Sequence, residues 1–301
     1  MTNATPGISP FIHNIKQDST IQDYISLLKP RVMSLVVFTA ISGIILAPGK
    51  IHLFTAFTSI LFTSLGAGSA ACLNMWYDRD IDTLMERTKK RAIVRGAVDE
   101  SDALAMGIFL AVISVIGMMV CVNLLSGLLL LASISFYIFI YTMWLKRSTT
   151  QNIVIGGAAG AFPPLIGWAS CTNSLNLDSM ILFLIIFLWT PAHFWALALY
   201  KSEDYRAANI PMLPVVKGRE VTKNQILLYT VLMTISCALP YLTGLCGIFY
   251  LFTSSFMSGY FILAATDLKY EKGINSAPKL FAFSIIYLFV IFGLMMIGKN
   301  Y

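Results

Sequence analysis

"LFTAFTSILFTSLGAGSAACLNMWYDRDIDTLMERTKKR" runs from Leu53 to Arg91. Its first twenty residues, through Cys72, carry no charge, while the eighteen from Asn74 onward hold three aspartates, one glutamate and five basic residues. An uncharged run of about twenty residues is what a helix needs to cross the ~30 Å of a bilayer's hydrocarbon. The abrupt change near Asn74 then marks the point where the chain leaves the lipid.

Similar apolar runs recur on both sides of this one. Nine spans are expected, at roughly 32–48, 52–73, 103–121, 124–143, 152–170, 179–199, 225–243, 246–265 and 280–298. Backbone groups in lipid must be satisfied within each segment, so the spans should be helices. Of the 301 residues, 57% are hydrophobic and 12% charged, against about 25% charged in a soluble domain. A soluble globular protein is therefore excluded. The expected fold is all-α and polytopic: nine transmembrane helices in a bundle around a central cavity. Residues 1–30 would form a polar tail and residues 31–301 a single transmembrane domain.

With the N-terminus in the cytoplasm, all basic residues but Lys50 and Lys299 fall on one side of the nine spans, and all acidic residues but Asp178 join them. The positive-inside rule thus places the N-terminus in the cytoplasm and the C-terminus in the periplasm. The net charge of +6 follows from this topology and implies no nucleic-acid partner. The five cysteines show no metal-ligand spacing and read as free thiols, most of them buried in the apolar runs. The first thirty residues lack the basic start and apolar core of a signal peptide. They also lack the arginine-rich, acid-poor bias of a transit peptide. A bacterial inner (plasma) membrane is the expected location.

Asn74, Asp78 and Asp82 are spaced i, i+4, i+8, which places them on one helical face, whereas Asp80 faces elsewhere. Adjacent carboxylates repel unless a cation sits between them. Magnesium takes one or two carboxylates together with phosphate oxygens. The neighbouring Arg87, Lys89, Lys90, Arg91 and Arg95 offer direct charge to a polyanion. A second stretch, "HFWALALYKSEDYRAANIPMLPVVKGRE" from His193 to Glu220, repeats the arrangement. There Tyr200 and Asp204 are four apart, Glu203 adjoins Asp204, and Lys201 and Arg206 flank it. Spans 2 and 6 run in the same direction, so both stripes reach one membrane face and the two loops would close over one cavity. The plainer reading is a set of cytoplasmic charges that merely offset one another. The repeated acidic stripe at span ends outweighs it, because ionisable groups there are costly and usually functional.

With "LLKPRVMSLVVFTAISGIILAPG" (27–49), "QNIVIGGAAGAFPPLIGW" (151–168), "WTPAHFWALALY" (189–200) and "EDYRAANIPMLPVVKG" (203–218), these stretches resemble the UbiA-like intramembrane prenyltransferases. The similarity is greatest to the haem O synthase branch, the protohaem IX farnesyltransferases. The resemblance implies nine transmembrane helices and two aspartate-rich loops that hold a prenyl diphosphate through Mg2+. It implies that farnesyl diphosphate and haem b react to haem O and diphosphate, with a haem A synthase as user of the product. Asn74, Asp78 and Asp82 would hold one magnesium, and Asp204 with Glu203 a second. Arg87, Lys89, Arg91 and Lys201 would face the diphosphate oxygens. Tyr200 and Tyr205 would bond the diphosphate or hold a carboxylate. Asp78, Asp82, Asp204, Tyr200 and His193 form the catalytic set.

His193 lies seven positions before Tyr200 and eleven before Asp204, on the same helical face. Haem-iron ligation, a propionate contact, action on the reacting vinyl and simple burial in the bundle all stay open for it. Arg31 either anchors its helix or meets a propionate. His13 and His52 lie far from the aspartates. The small residues at Gly66–Ala71 and Gly156–Ala161 either make room for a farnesyl tail or let helices pack closely, and Pro163 and Pro164 should kink span 5.

Two departures from the branch stand out. Ala92 replaces a usual proline, which should loosen the first loop. Asn209 replaces a usual glycine, a turn that asparagine tolerates best among other residues.

Three other functions compete. A prenyltransferase of the same superfamily acting on a quinone precursor would lack the branch-specific stretches. A transporter would carry charges or broken helices at the midplane. A structural subunit has no need of paired carboxylate stripes.

Overall fold

A computed structural model describes residues 19–300. His13, Lys16 and Asp18 of the tail lie outside the described residues. Among the described residues helix is the only regular secondary structure, apart from one isolated antiparallel bridge, Cys246 to Lys299.

Two helices open it, α1 (Ile21–Leu27) and α2 (Pro30–Leu46), meeting at an angle of 51°. Residues 21–27 are thus a helix within what reads as tail. Thr20 caps it, with its hydroxyl accepting from Asp23 N and Asp23 reaching back to Thr20 N. This reciprocal box satisfies the donors that a helix start leaves unpaired. Lys29 forms the elbow in left-handed conformation (φ 51°), and Pro30 opens α2, where its missing N–H costs nothing.

Next come α3 (Leu53–Tyr77), the short α4 (Arg79–Asp82), α5 (Glu100–Cys121) and α6 (Leu124–Ser135). The latter runs without interruption into a π-helix, π1 (Phe136–Leu145), and a last turn, α7 (Lys146–Ser148). Then follow α8 (Asn152–Thr172), α9 (Leu177–Tyr200), the short α10 (Ser202–Ala207) and α11 (Leu213–Val216), α12 (Gly218–Leu242), α13 (Ile248–Tyr270) and α14 (Ala277–Ile297). Eight of these are long and apolar enough to span a membrane, and the bent α1–α2 pair makes nine. All nine expected spans are present. The seventh starts at Gly218 rather than near 225, which draws Lys223 into the helix.

Helices α8 and α9 are the most enclosed, and they pack on each other, on α2 and on α12. Close approach of α2 and α8 depends on two glycines. A Cβ on Gly43 would stand 2.2 Å from the carbonyl oxygen of Pro164, and one on Gly167 2.1 Å from that of Ala40. Here small residues serve packing, as they commonly do between helices in lipid. Pro163 and Pro164 lie inside an unbroken α8. Pro163 removes the donor for the Ala159 carbonyl, and the Ser133 hydroxyl donates to that oxygen instead, at 3.2 Å.

The bundle has two distinct ends. At one, Lys299 Nζ donates to the carbonyls of Ile45 and Ala47, and Gly247 N to that of Gly298. There His52 only caps α3, its Nδ1 accepting from Phe54 N at 3.2 Å. At the other end lie Lys29, Asn74, Lys146 and the charged loops.

Candidate active site

The expected stripe survives a break in the helix. α3 ends at Tyr77, yet Asp78 N still donates to Asn74 O and Asp82 N to Asp78 O, each at 2.9 Å. Asn74, Asp78 and Asp82 therefore stay on one face, and all three are buried, Asp78 completely. Asp80 points out and takes a two-pronged bond from Arg147, both distances 2.7 Å. Hydrogen bonding from Arg147 holds the Asp80 carboxyl below the usual range.

Buried carboxylates demand cations, and the chain supplies them from three other segments. Lys146 pairs with Asp78 Oδ2, Arg91 with Asp82 Oδ2, and Arg147 stands 3.5 Å from Asp78 Oδ1. Lys29 Nζ donates to Asn74 Oδ1 at 3.0 Å. Asn74 Nδ2 in turn bonds Asp78 Oδ2 at 2.7 Å and Thr142 Oγ1 at 3.2 Å. Lys29, Lys146 and Arg147 were absent from the expected set. Position at a span end was their only sequence signal.

π1 explains how its residues reach the site. With bonds from i to i+5, residues five apart stack along the axis. Tyr137 then lies over Thr142, and Tyr141 over Lys146. In an α-helix such pairs would diverge by about 140°. Thr142 bonds back to Tyr137 O at 2.8 Å. Both tyrosines are within electrostatic reach of Asp78 and Arg87. Gly156 gives Tyr141 its space, since a Cβ there would stand 2.2 Å from the ring.

The second loop meets the first at Arg87, which lies within electrostatic reach of the buried Tyr205, as do Arg91 and Asp204. Burial raises the Tyr205 hydroxyl above its ordinary pKa, opposed by Arg87. Ile81 and Met85 of the first loop share one apolar core with Tyr205, Ala208, Ile210 and Met212 of the second. Asn209 adopts φ 53°, the left-handed turn expected of it. Ala92 is buried in a separate small core with Leu27, Cys72 and Met75, and its carbonyl accepts from Ala97 N and Val98 N.

Other expected residues lie apart. Lys89 is half exposed and paired with Glu86, and Glu203 is exposed and held by Arg206. Arg31 is exposed. Lys201 lies over the Tyr200 ring at 5.9 Å. His193 sits deeper, between the rings of Trp189 and Phe281.

A magnesium ion fits the donor set. Asp78 Oδ1 and Asp204 Oδ2 are buried oxygens without a hydrogen-bond partner. Among the described residues no group of three or more His, Cys, Asp or Glu side chains comes together to hold a metal ion by itself. Magnesium uses such sites, a few carboxylate oxygens completed by phosphate and water.

Comparisons with known proteins agree with this geometry. The profile of the UbiA prenyltransferase family matches residues 36–292. A protoheme IX farnesyltransferase of Rickettsia bellii (strain OSU 85-389) is 54% identical over 278 residues, 92% of this chain and 93% of that one. The protoheme IX farnesyltransferase of Rhizobium etli (strain CFN 42) is 52% identical, covering 94% of this chain and 90% of its own. Among solved structures, a digeranylgeranylglyceryl phosphate synthase superposes with a TM-score of 0.77 at 18% identity, covering 92% and 98% of the two chains. A UbiA homologue from Archaeoglobus fulgidus bound to DMAPP and Mg2+ gives 0.68 at 15%, covering 90% and 99%. Matched over most of its length by family profile and by relatives above half identity, the chain belongs to the UbiA prenyltransferase family.

Proposed function

We propose that this protein transfers the farnesyl group of farnesyl diphosphate to a vinyl group of protohaem IX (haem b), giving haem O and diphosphate. One structural observation carries the chemistry: a buried acidic stripe, Asn74–Asp78–Asp82, ringed by Lys29, Arg91 and Lys146, with one buried oxygen each on Asp78 and Asp204 that accepts no hydrogen bond. The relatives' names supply the substrates.

In the reaction the C1–O bond of farnesyl diphosphate breaks, with its electron pair leaving on the diphosphate. C1 bonds the terminal vinyl carbon, water adds to the inner one, and a proton is released. The barrier lies in the charge that gathers on the departing oxygens, and fixed cations in a dry site lower it. Asn74, Asp78, Asp82 and Asp204 would hold magnesium, which when bound would offset the charge of the diphosphate. Arg91 and Lys146, once released from Asp82 and Asp78, would bind the same oxygens together with Arg87. Tyr205 orients Arg87. The apolar spans receive the farnesyl tail.

We place residues 31–301 as the catalytic domain, in a bacterial inner membrane with the charged end cytoplasmic. The product is a substrate for a haem A synthase.

The test incubates purified protein with haem b, farnesyl diphosphate and Mg2+ and looks for haem O. Asp78→Ala and Asp204→Ala should each lower turnover by about 100-fold or more, on the scale of losing one transition-state contact. Full activity in both variants would remove these residues from the mechanism. Prenylation of a quinone precursor in place of haem would replace the acceptor.

A further inference from the structure

His193 is held by a single turn of α14. Its Nδ1 lies 2.6 Å from Ser284 Oγ. Ser284 Oγ also lies 2.6 Å from the carbonyl oxygen of Phe281. The Phe281 ring stacks on one face of the imidazole at 4.6 Å and 24°, and Trp189 covers the other at 4.2 Å and 15°. Trp189 is itself anchored, its Nε1 donating to the Ser284 carbonyl at 2.8 Å.

A proton inventory decides the tautomer. A carbonyl oxygen has no hydrogen to give, so the short contact with Phe281 is a bond only if Ser284 donates. Serine has one hydroxyl proton, and this bond uses it. The short Nδ1 contact must then be a bond in which the imidazole donates. Nδ1 carries the proton, and Nε2 is left with a bare lone pair. No hydrogen bond to Nε2 is made among the described residues, and His193 keeps 8% of its surface accessible.

We propose that Ser284 is a positioning residue that locks His193 in the Nδ1–H tautomer and so presents Nε2 to the iron of a haem acceptor. The inference rests on haem as the acceptor. It favours ligation over proton transfer for a physical reason. No carboxylate bonds this imidazole among the described residues, so nothing nearby would offset the charge of an imidazolium, whereas an iron ligand stays neutral. Metal-bound histidines commonly donate their second ring N–H to a fixed acceptor in this way. His193 lies seven residues, about 10 Å of helix, below Tyr200. A haem ligated there would thus sit deeper in the bundle than the diphosphate.

The test titrates the purified protein with ferric haem b, read by Soret absorption and low-spin electron paramagnetic resonance. Wild type should give a histidine-ligated signature that His193→Ala removes. Ser284→Ala should bind haem about 10–100-fold more weakly, the usual cost of losing a ligand's outer partner. Ser284→Thr, which keeps the hydroxyl, should restore binding. Iron-free protoporphyrin IX should bind wild type and Ser284→Ala equally. Unchanged haem binding in Ser284→Ala, equal weakening toward iron-free porphyrin, or no rescue by threonine would overturn the proposal.

A ligand-free measurement covers a variant that fails to fold. In protein carrying His13→Gln and His52→Asn, 15N resonances of the remaining histidine read the tautomer directly. A protonated Nδ1 is expected, and a protonated Nε2 overturns the assignment. Haem O formation in the same preparation separates the two readings. Haem O made without any spectral dependence on His193 or Ser284 sinks the ligation alone. No haem bound and no haem O formed sinks the acceptor assignment and the ligation together.

Discussion

Asp78 is fully buried and its charge is met by Lys146 and Arg147, one from each side of the carboxylate. Removing one partner of such a pair leaves an uncompensated charge, which costs about 3–5 kcal/mol. Lys146→Met should therefore lower the melting temperature markedly. Lys146→Met with Asp78→Asn should regain most of the loss, since both charges are then gone. Equal melting temperatures for the single variant and wild type would show that Lys146 does not support Asp78. Basic side chains pair with Asn74, Asp78 and Asp82. In the proposed reaction these pairs would give way, the carboxylates turning to the metal and the cations to the phosphate oxygens. A chelator in excess should accordingly abolish haem O formation, and added Mg2+ should restore it; turnover that persists would take the metal out of the site. The i, i+4, i+8 stripe was legible from sequence because a helix imposes that period locally. Lys146 was not, because its partner lies 68 residues away.

Among the elements, α2 and α8 touch through Gly43 and Gly167, where an added Cβ would collide with backbone carbonyls. Backbone cannot rotate aside, so the helices must part. Gly167→Ala should destabilise by about 1–3 kcal/mol, as overpacking does. Gly293 sits in α14 with open space around its Cβ position, so Gly293→Ala should be neutral or slightly stabilising. Thermal unfolding of the two variants in one detergent checks this, and equal melting points would refute the packing argument. The small-residue runs were visible in the sequence, but their division was not. Gly43 and Gly167 serve helix packing, while Gly156 admits the Tyr141 ring to the site. Similarly, "FYIFIYTMWLK" reads as an apolar span, and nothing in its composition announces a π-helix. Only the altered winding aligns Tyr137, Tyr141, Thr142 and Lys146.

Across the whole molecule, the nine spans and the gathering of charge at one end follow from hydropathy and the lysine–arginine count. The same count predicts orientation. A membrane-impermeant thiol reagent applied to intact spheroplasts should label Lys299→Cys or Lys50→Cys and spare Lys217→Cys; the reverse pattern would invert the topology. Span number, helix class and the Asn74–Asp78–Asp82 stripe were determined by sequence alone, because each depends on a run of neighbouring residues and the solvent they meet. Which cation pairs with which carboxylate, how the two loops share one apolar core, and which rings and hydroxyl enclose His193 were decided only by tertiary structure. Those contacts join segments tens of residues apart, and only the packed bundle sets their distances.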